Sequence, residues 1–184
     1  MLRVWNSSGS LFIVLIMRII LLSFLLIVGA ITAASSAESP KLIGEHKDWR
    51  AFTFVEDGKL ICYMASEPKD THPKNVNRGD IYIIVTRRPA HGIVDEVSIY
   101  TGYPYKAESD VEISIGDDLF RMFTYEDTAW ARDSEADKQL VRAMVRGNTM
   151  KVKGLSQRGT TTIDTYSLRG FTAANKAIRA ACKK

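Results

Sequence analysis

Hydrophobic and polar residues alternate with period two through most of the chain beyond residue 47. In Asp-Val-Glu-Ile-Ser-Ile, Val111, Ile113 and Ile115 fall on one side and Glu112 and Ser114 on the other, the mark of a half-buried strand. Gly116, Asp117 and Asp118 then turn the chain into Leu-Phe-Arg-Met-Phe-Thr-Tyr, so residues 110–125 are expected to form a β-hairpin. Similar short strands are expected at 48–55, 60–65, 80–87, 95–100, 149–155 and 160–168, punctuated by Gly, Pro, Asn and Asp at the spacing of a sandwich. Two segments change to helical period. In the first, Ser134 is the expected N-cap with Asp137 three residues on. Ala136, Leu140, Ala143 and Met144 share a face, and Gly147 ends the run. In the second, Thr172 is the expected cap, and Ala174, Ala177, Ile178 and Ala181 form a stripe that Cys182 continues. The pattern predicts a mostly β fold: an antiparallel β-sandwich or barrel-like domain with two short α-helices, the second at the C-terminus.

The first 37 residues follow a different pattern. Met17 and Arg18 precede an apolar run from Ile19 to Ile31, and Ser35-Ser36-Ala37 places small residues where a signal peptidase reads. Residues 1–37 are therefore expected to be a signal peptide cleaved after Ala37, with Met17 a candidate for the true start. The apolar residues 11–17 lengthen the stretch, which keeps a retained membrane anchor as the alternative, and Arg18 argues against it. Residues 38–184 then form one domain with no stable membrane span. Its expected location is the periplasm, with outer-membrane association or secretion as variants. Arg3 and Arg18 are the only charges removed, leaving 23 Lys and Arg against 21 Asp and Glu, a net charge of +2. The cations are scattered among acids, so nucleic acid is a poor partner. Cys62 and Cys182 are the two cysteines. In an oxidising compartment they point to one disulfide, the alternative being two separate buried thiols.

Catalytic and metal chemistry have no motif to rest on. His46, His72 and His91 fall in expected loops without ligand-spaced partners, and no His-Glu-x-x-His, Gly-x-Ser-x-Gly or Gly-rich phosphate loop occurs. No enzyme activity, cofactor or metal is therefore expected. Two stretches are candidate binding surfaces. Gln157, Arg158 and Thr160 make either a polar recognition loop or a plain hairpin in which Gly159 takes a positive φ and Arg158 pairs with Asp164 or another carboxylate. Tyr103 and Tyr105 flank Pro104 as either an exposed aromatic contact or rings covering the core edge. Trp49, in the expected first strand, and Trp130, approaching a helix, read as core aromatics. Arg78-Gly79-Asp80 is an adhesive tripeptide by composition, yet it directly precedes the apolar run 81–85. It therefore reads as the bend into a buried strand and not as a projecting tip.

Asn-Arg-Gly-Asp-Ile-Tyr-Ile-Ile-Val-Thr-Arg-Arg-Pro (77–89), Gly-Tyr-Pro-Tyr-Lys (102–106), Ala-Trp-Ala-Arg-Asp (129–133), Asp-Lys-Gln-Leu-Val-Arg-Ala-Met (137–144), the stretch 156–174 and the final Ala-Cys resemble, in order, the invasion-associated locus B protein family. The resemblance spans nearly all of residues 38–184. It implies a small, mostly β, periplasmic or envelope-associated protein of Gram-negative bacteria, and it carries over no catalytic residue. The expected function is a non-enzymatic protein-binding or envelope-support module whose partner lies in the cell envelope or the host. The alternative is a surface-exposed or secreted virulence factor that contacts host cells. A small outer-membrane barrel suits the length but not the short strands, the two helices or the Ala-Cys-Lys-Lys end.

Overall fold

Eleven strands, each hydrogen-bonded antiparallel to its neighbours, form one sheet in this computed structural model, which describes residues 39–183. The expected signal peptide lies outside the described residues. In chain order the elements are β1 (Lys41–His46), β2 (Trp49–Glu56), β3 (Lys59–Ser66), β4 (Asp70–His72), β5 (Tyr82–Arg88), β6 (Ile93–Tyr100), β7 (Asp110–Ile115), β8 (Asp118–Tyr125), β9 (Thr128–Trp130), α1 (Ser134–Arg146), β10 (Thr149–Leu155), β11 (Thr161–Ser167) and α2 (Phe171–Ala181). Across the sheet the order is β1-β2-β3-β5-β6-β9-β8-β7-β10-β11-β4, leaving β1 and β4 as edges.

The expected mostly β, antiparallel fold with a C-terminal second helix is present, as a single open sheet and not as two packed sheets. Twist curls it until its ends meet through side chains and loops. The Trp49 indole donates to the Ser167 carbonyl at 3.0 Å, the Asp48 amide donates to the Arg169 carbonyl at 3.2 Å, and Trp49 meets the Phe171 ring edge-on at 4.9 Å. The inward faces share one core in which Trp49, Met64, Ile83, Ile99, Ile113, Met150 and Tyr166 from the sheet meet Leu140, Met144, Phe171 and Ile178 from the helices.

Three strands have no counterpart in the alternation. β1 carries a register shift between Leu42 and Gly44, while β4 and β9 are three residues each, too short for a period to register. His46 and His72 consequently lie in strands and His91 in a short 3-10 turn, not in loops. Trp49 is in the second strand.

Both helix caps differ from expectation. Asp133, not Ser134, caps α1: its carboxylate accepts from the Glu135 and Ala136 amides at 2.9 and 2.8 Å. α2 begins after Gly170 at φ 93°, not at Thr172, and a Cβ on Gly170 would lie 1.8 Å from the His46 carbonyl oxygen. Ala174 and Ile178 face the core as expected, but Ala181 is exposed and Phe171 and Asn175 complete the stripe.

Asp137 is no capping residue. Its side chain turns inward from α1 and accepts the Val97 amide of β6 at 2.9 Å. At the other helix, Asp95 holds Arg87 of β5 at 2.6 Å and also Arg179 of α2. One turn on, Cys182 is bonded to Cys62 of β3, with the Cα atoms 6.0 Å apart. α2 is thus tied to the sheet at two adjacent points.

The bond closes 120 residues, for which chain entropy alone gives about 5 kcal/mol. Cys62→Ser or Cys182→Ser is expected to lower stability by about 2–5 kcal/mol in urea unfolding. Non-reducing peptide mapping should find the two cysteine peptides joined, and two free thiols would refute the pairing.

Burial raises the Asp137 carboxyl to about 6, against the opposing hydrogen bond from Val97. The folded chain therefore holds this proton more tightly than the unfolded chain, whose carboxyl titrates near ~3.9. Stability from this group is complete below about pH 4, falls as pH rises to about 6 and is level above. Asp137→Asn keeps an acceptor for Val97. It should stabilise the protein at pH 7 by about 1–2 kcal/mol, less than full burial would give because the side chain also lines an open surface cleft, and should add nothing below pH 4. Urea unfolding at both pH values reads the difference.

Candidate functional site

Three loops converge at one end of the sheet: 73–81 before β5, 101–109 between β6 and β7, and 156–160 between β10 and β11. Their anchor is Arg78. Its guanidinium forms a two-pronged pair with Asp164 of β11 at 2.7 and 2.6 Å and donates from Nε to the Thr101 carbonyl at 2.9 Å. The two side chains are 6% and 1% exposed, so this is a buried, geometrically matched pair. The guanidinium carbon also sits 5.0 Å from the centre of the Tyr103 ring. The expected pairing of Arg158 with Asp164 is therefore corrected. Arg78 occupies that carboxylate, and Arg158 is exposed with no ion pair among the described residues. The Arg-Gly-Asp tripeptide lies in the irregular segment that leads into β5, with the bend three residues earlier at 73–75 and not at Arg78-Gly79 as expected, and its cation points into the protein.

Backbone packing is tight here. The Gly79 amide donates to the Gly102 carbonyl at 2.8 Å, and a Cβ on Gly102, at φ 69°, would come within 2.4 Å of the Gly79 oxygen. Tyr103 leans edge-on against Tyr105 at 5.5 Å, and its hydroxyl bonds Thr162 at 2.6 Å. The Gln157 amide donates to the Pro104 carbonyl at 2.9 Å, and the loop turns at Gly159 with φ 82°. The outcome is a polar cleft of about 420 Å³ that brings together Tyr103, Gln157, Arg158 and Thr160. Tyr105 stands apart from them, 6% exposed behind Tyr103, and burial raises its phenol. Its hydroxyl and that of Tyr166 have no hydrogen-bond partner among the described residues.

A second feature escaped the sequence reading. β2, β3, β5, β6 and β9 each turn an aromatic residue outward, away from the core. Phe52 stacks on Tyr63 at 4.9 Å and Tyr82 on Tyr100 at 4.5 Å, each a cross-strand pair. Between these walls runs a row of smaller side chains, Ala65, Ile84 and Ser98, in mutual register, closed by Arg50 at one end and Trp130 at the other. This makes a trough of about 520 Å³ across the strands. Trp130 is half-buried at its end, so its expected place in the core is corrected. Both helices lie on the opposite face. The signal was present: 81–85 is apolar without alternation, as in strands covered on both faces.

Among the described residues no three His, Cys, Asp or Glu side chains are grouped to hold a metal, and no helix is long and apolar enough to cross a membrane.

A model of the invasion associated locus B (IalB) protein family matches residues 49–179. The fold is similar to the crystal structure of invasion associated protein B from Bartonella henselae, with a TM-score of 0.52 at 13% identity over 77% of this chain and 97% of that one. No curated protein matches the chain.

Arg78→Ala leaves the Asp164 carboxylate buried and unpaired and is expected to cost about 3–5 kcal/mol in urea unfolding. Arg78→Lys should recover only part, since an ammonium cannot fill both prongs. Arg78→Met combined with Asp164→Leu should recover more than Arg78→Lys does. A loss below ~1 kcal/mol for Arg78→Ala would show that the pair is not the anchor of these loops.

Proposed function

The chain belongs to the IalB family, and on that premise we propose that it works outside the cytoplasm as a non-enzymatic module that holds an apolar segment of another envelope protein in the trough ending at Trp130. The trough carries this reading. A strand with apolar side chains on both faces is built to be covered on both. Here the inward face has the core, and the outward face has no described element over it. Five strands at ~4.8 Å spacing make the trough about 20 Å long, the reach of roughly six extended residues.

Charge narrows the occupant. Arg50 pairs with Glu67 at 3.1 Å, and Arg88 with Glu96 at 3.0 Å, so both rims are neutralised from within. A strongly charged partner would find nothing to answer it, whereas large apolar side chains would find stacked rings and a floor as small as Ala65. Burial already raises the Tyr63 and Tyr82 phenols, a sign that water is partly excluded before anything binds. The disulfide supports an oxidising compartment. The Arg78 side chain is buried, so the Arg-Gly-Asp tripeptide offers no cation to a host receptor, and the host-contact alternative rests on the loops at 102–106 and 157–160.

Filling the trough should abolish binding without touching the core. A photo-crosslinking residue at Phe52 is expected to give one discrete protein adduct in the native envelope. The same residue at Leu119, which is 60% exposed on β8, should give none. Adding Ala65→Trp should remove the Phe52 adduct while leaving the melting temperature within a few degrees. An adduct that survives Ala65→Trp, or equal adducts from both positions, would overturn the trough as the binding surface.

A further inference from the structure

We propose that the polar cleft beside the Arg78–Asp164 pair binds a sugar carrying an anionic group, with Arg158 receiving the anion. The cleft shares no lining residue with the aromatic trough, so this site stands apart from the protein-binding reading.

The lining chemistry selects the ligand. Asn75, Asn77 and Gln157 present amides, each offering two donors and an acceptor, and Thr160 adds a hydroxyl. That set matches a ring of hydroxyls, each of which both donates and accepts. Pro104 and the part of Tyr103 that Arg78 leaves uncovered line the cleft and supply apolar surface for the C–H groups of such a ring. No carboxylate lines the cleft. Of its two arginines, Arg78 is committed to Asp164 while Arg158 is exposed and unpaired among the described residues. A planar guanidinium at the mouth takes a carboxylate or a phosphate through two hydrogen bonds.

The volume of about 420 Å³ lies within the range of small-molecule sites. The walls are also set in advance. Tyr103 is held by Arg78 across its face, by Tyr105 at its side and by Thr162 at its hydroxyl, and Gly154 beneath leaves no room for a Cβ, which would meet the Tyr103 hydroxyl at 2.8 Å. A preformed site spends little of its binding energy on ordering itself.

Three probes built on one ring separate the contributions: neutral N-acetylglucosamine, its 6-phosphate, and N-acetylmuramic acid with its carboxylate. Each is titrated into the protein purified from its own cells, with affinity read by calorimetry and location by amide shifts of Asn77 and Gln157. At least one anionic probe is expected to bind roughly five- to tenfold more tightly than the neutral ring, with an advantage that shrinks as salt is raised. Which of the two wins tells carboxylate from phosphate. Arg158→Gln should remove the preference and leave the weak binding of the neutral ring intact, and Ala65→Trp in the trough should change neither. Equal binding of all three probes, a preference that survives Arg158→Gln, or no shift at Asn77 and Gln157 up to tens of millimolar would each overturn the proposal.

Discussion

The end of the sheet that carries the polar cleft depends on one buried ion pair. Arg78 and Asp164 are 86 residues apart, and both have left water. A charge in that position is tolerated only where its hydrogen-bonding capacity is met. Asp164 takes two guanidinium N–H groups, Nε is met by Thr101, and the Tyr103 face covers the remainder. One side chain thereby joins the loop before β5, the end of β6 and the middle of β11. The close contact of Gly79 with Gly102, the seat of Tyr103 and the outline of the cleft all follow from where that guanidinium must lie.

A second charged cluster does comparable work elsewhere. Asp95 lies at φ 57° on β6 and is 2% exposed, held between Arg87 and Arg179. Together with the Cys62–Cys182 bond it fastens α2 against β3 and β6. The sheet needs such fastenings because no ladder closes it: β1 and β4 remain edges. The indole of Trp49, the edge-on Phe171 ring, the ion cluster and the disulfide supply by side chains what a barrel supplies by backbone pairing.

The outward face of β2, β3, β5, β6 and β9 shows why burial patterns bear on function. Soluble chains rarely leave a contiguous apolar patch uncovered unless something uses it. Here the rings have stacked in pairs across neighbouring strands, which lowers their exposure but leaves the row Ala65, Ile84 and Ser98 as a low floor between them. The concavity arises from small residues placed in register across strands, a property of pairing and not of any single strand.

What the sequence determined by itself was local. Alternation placed eight strands to within two residues and helical spacing placed both helices, because a side chain's direction along one element depends only on its neighbours in the chain. Gly159 announced its turn for the same reason. The family resemblance rested on motifs that survive as short runs. Caps were less legible: Asp133 and Ser134 can both cap, and the choice depends on where the preceding strand delivers the chain. The three shortest or most irregular strands were hidden because a period needs length. Tertiary structure alone decided which charges pair, which aromatic residues meet water and which loops meet one another. Asp164 had two arginines available to it by composition, Arg158 near in sequence and Arg78 far, and the distant one won because folding places Arg78 at the buried end of the carboxylate and leaves Arg158 in solvent. Trp130 is apolar in any alignment of pattern, yet which face of β9 it occupies is settled by its pairing with Ser98 across β6. Those outcomes require the sheet to be assembled, since they compare positions that only assembly brings together.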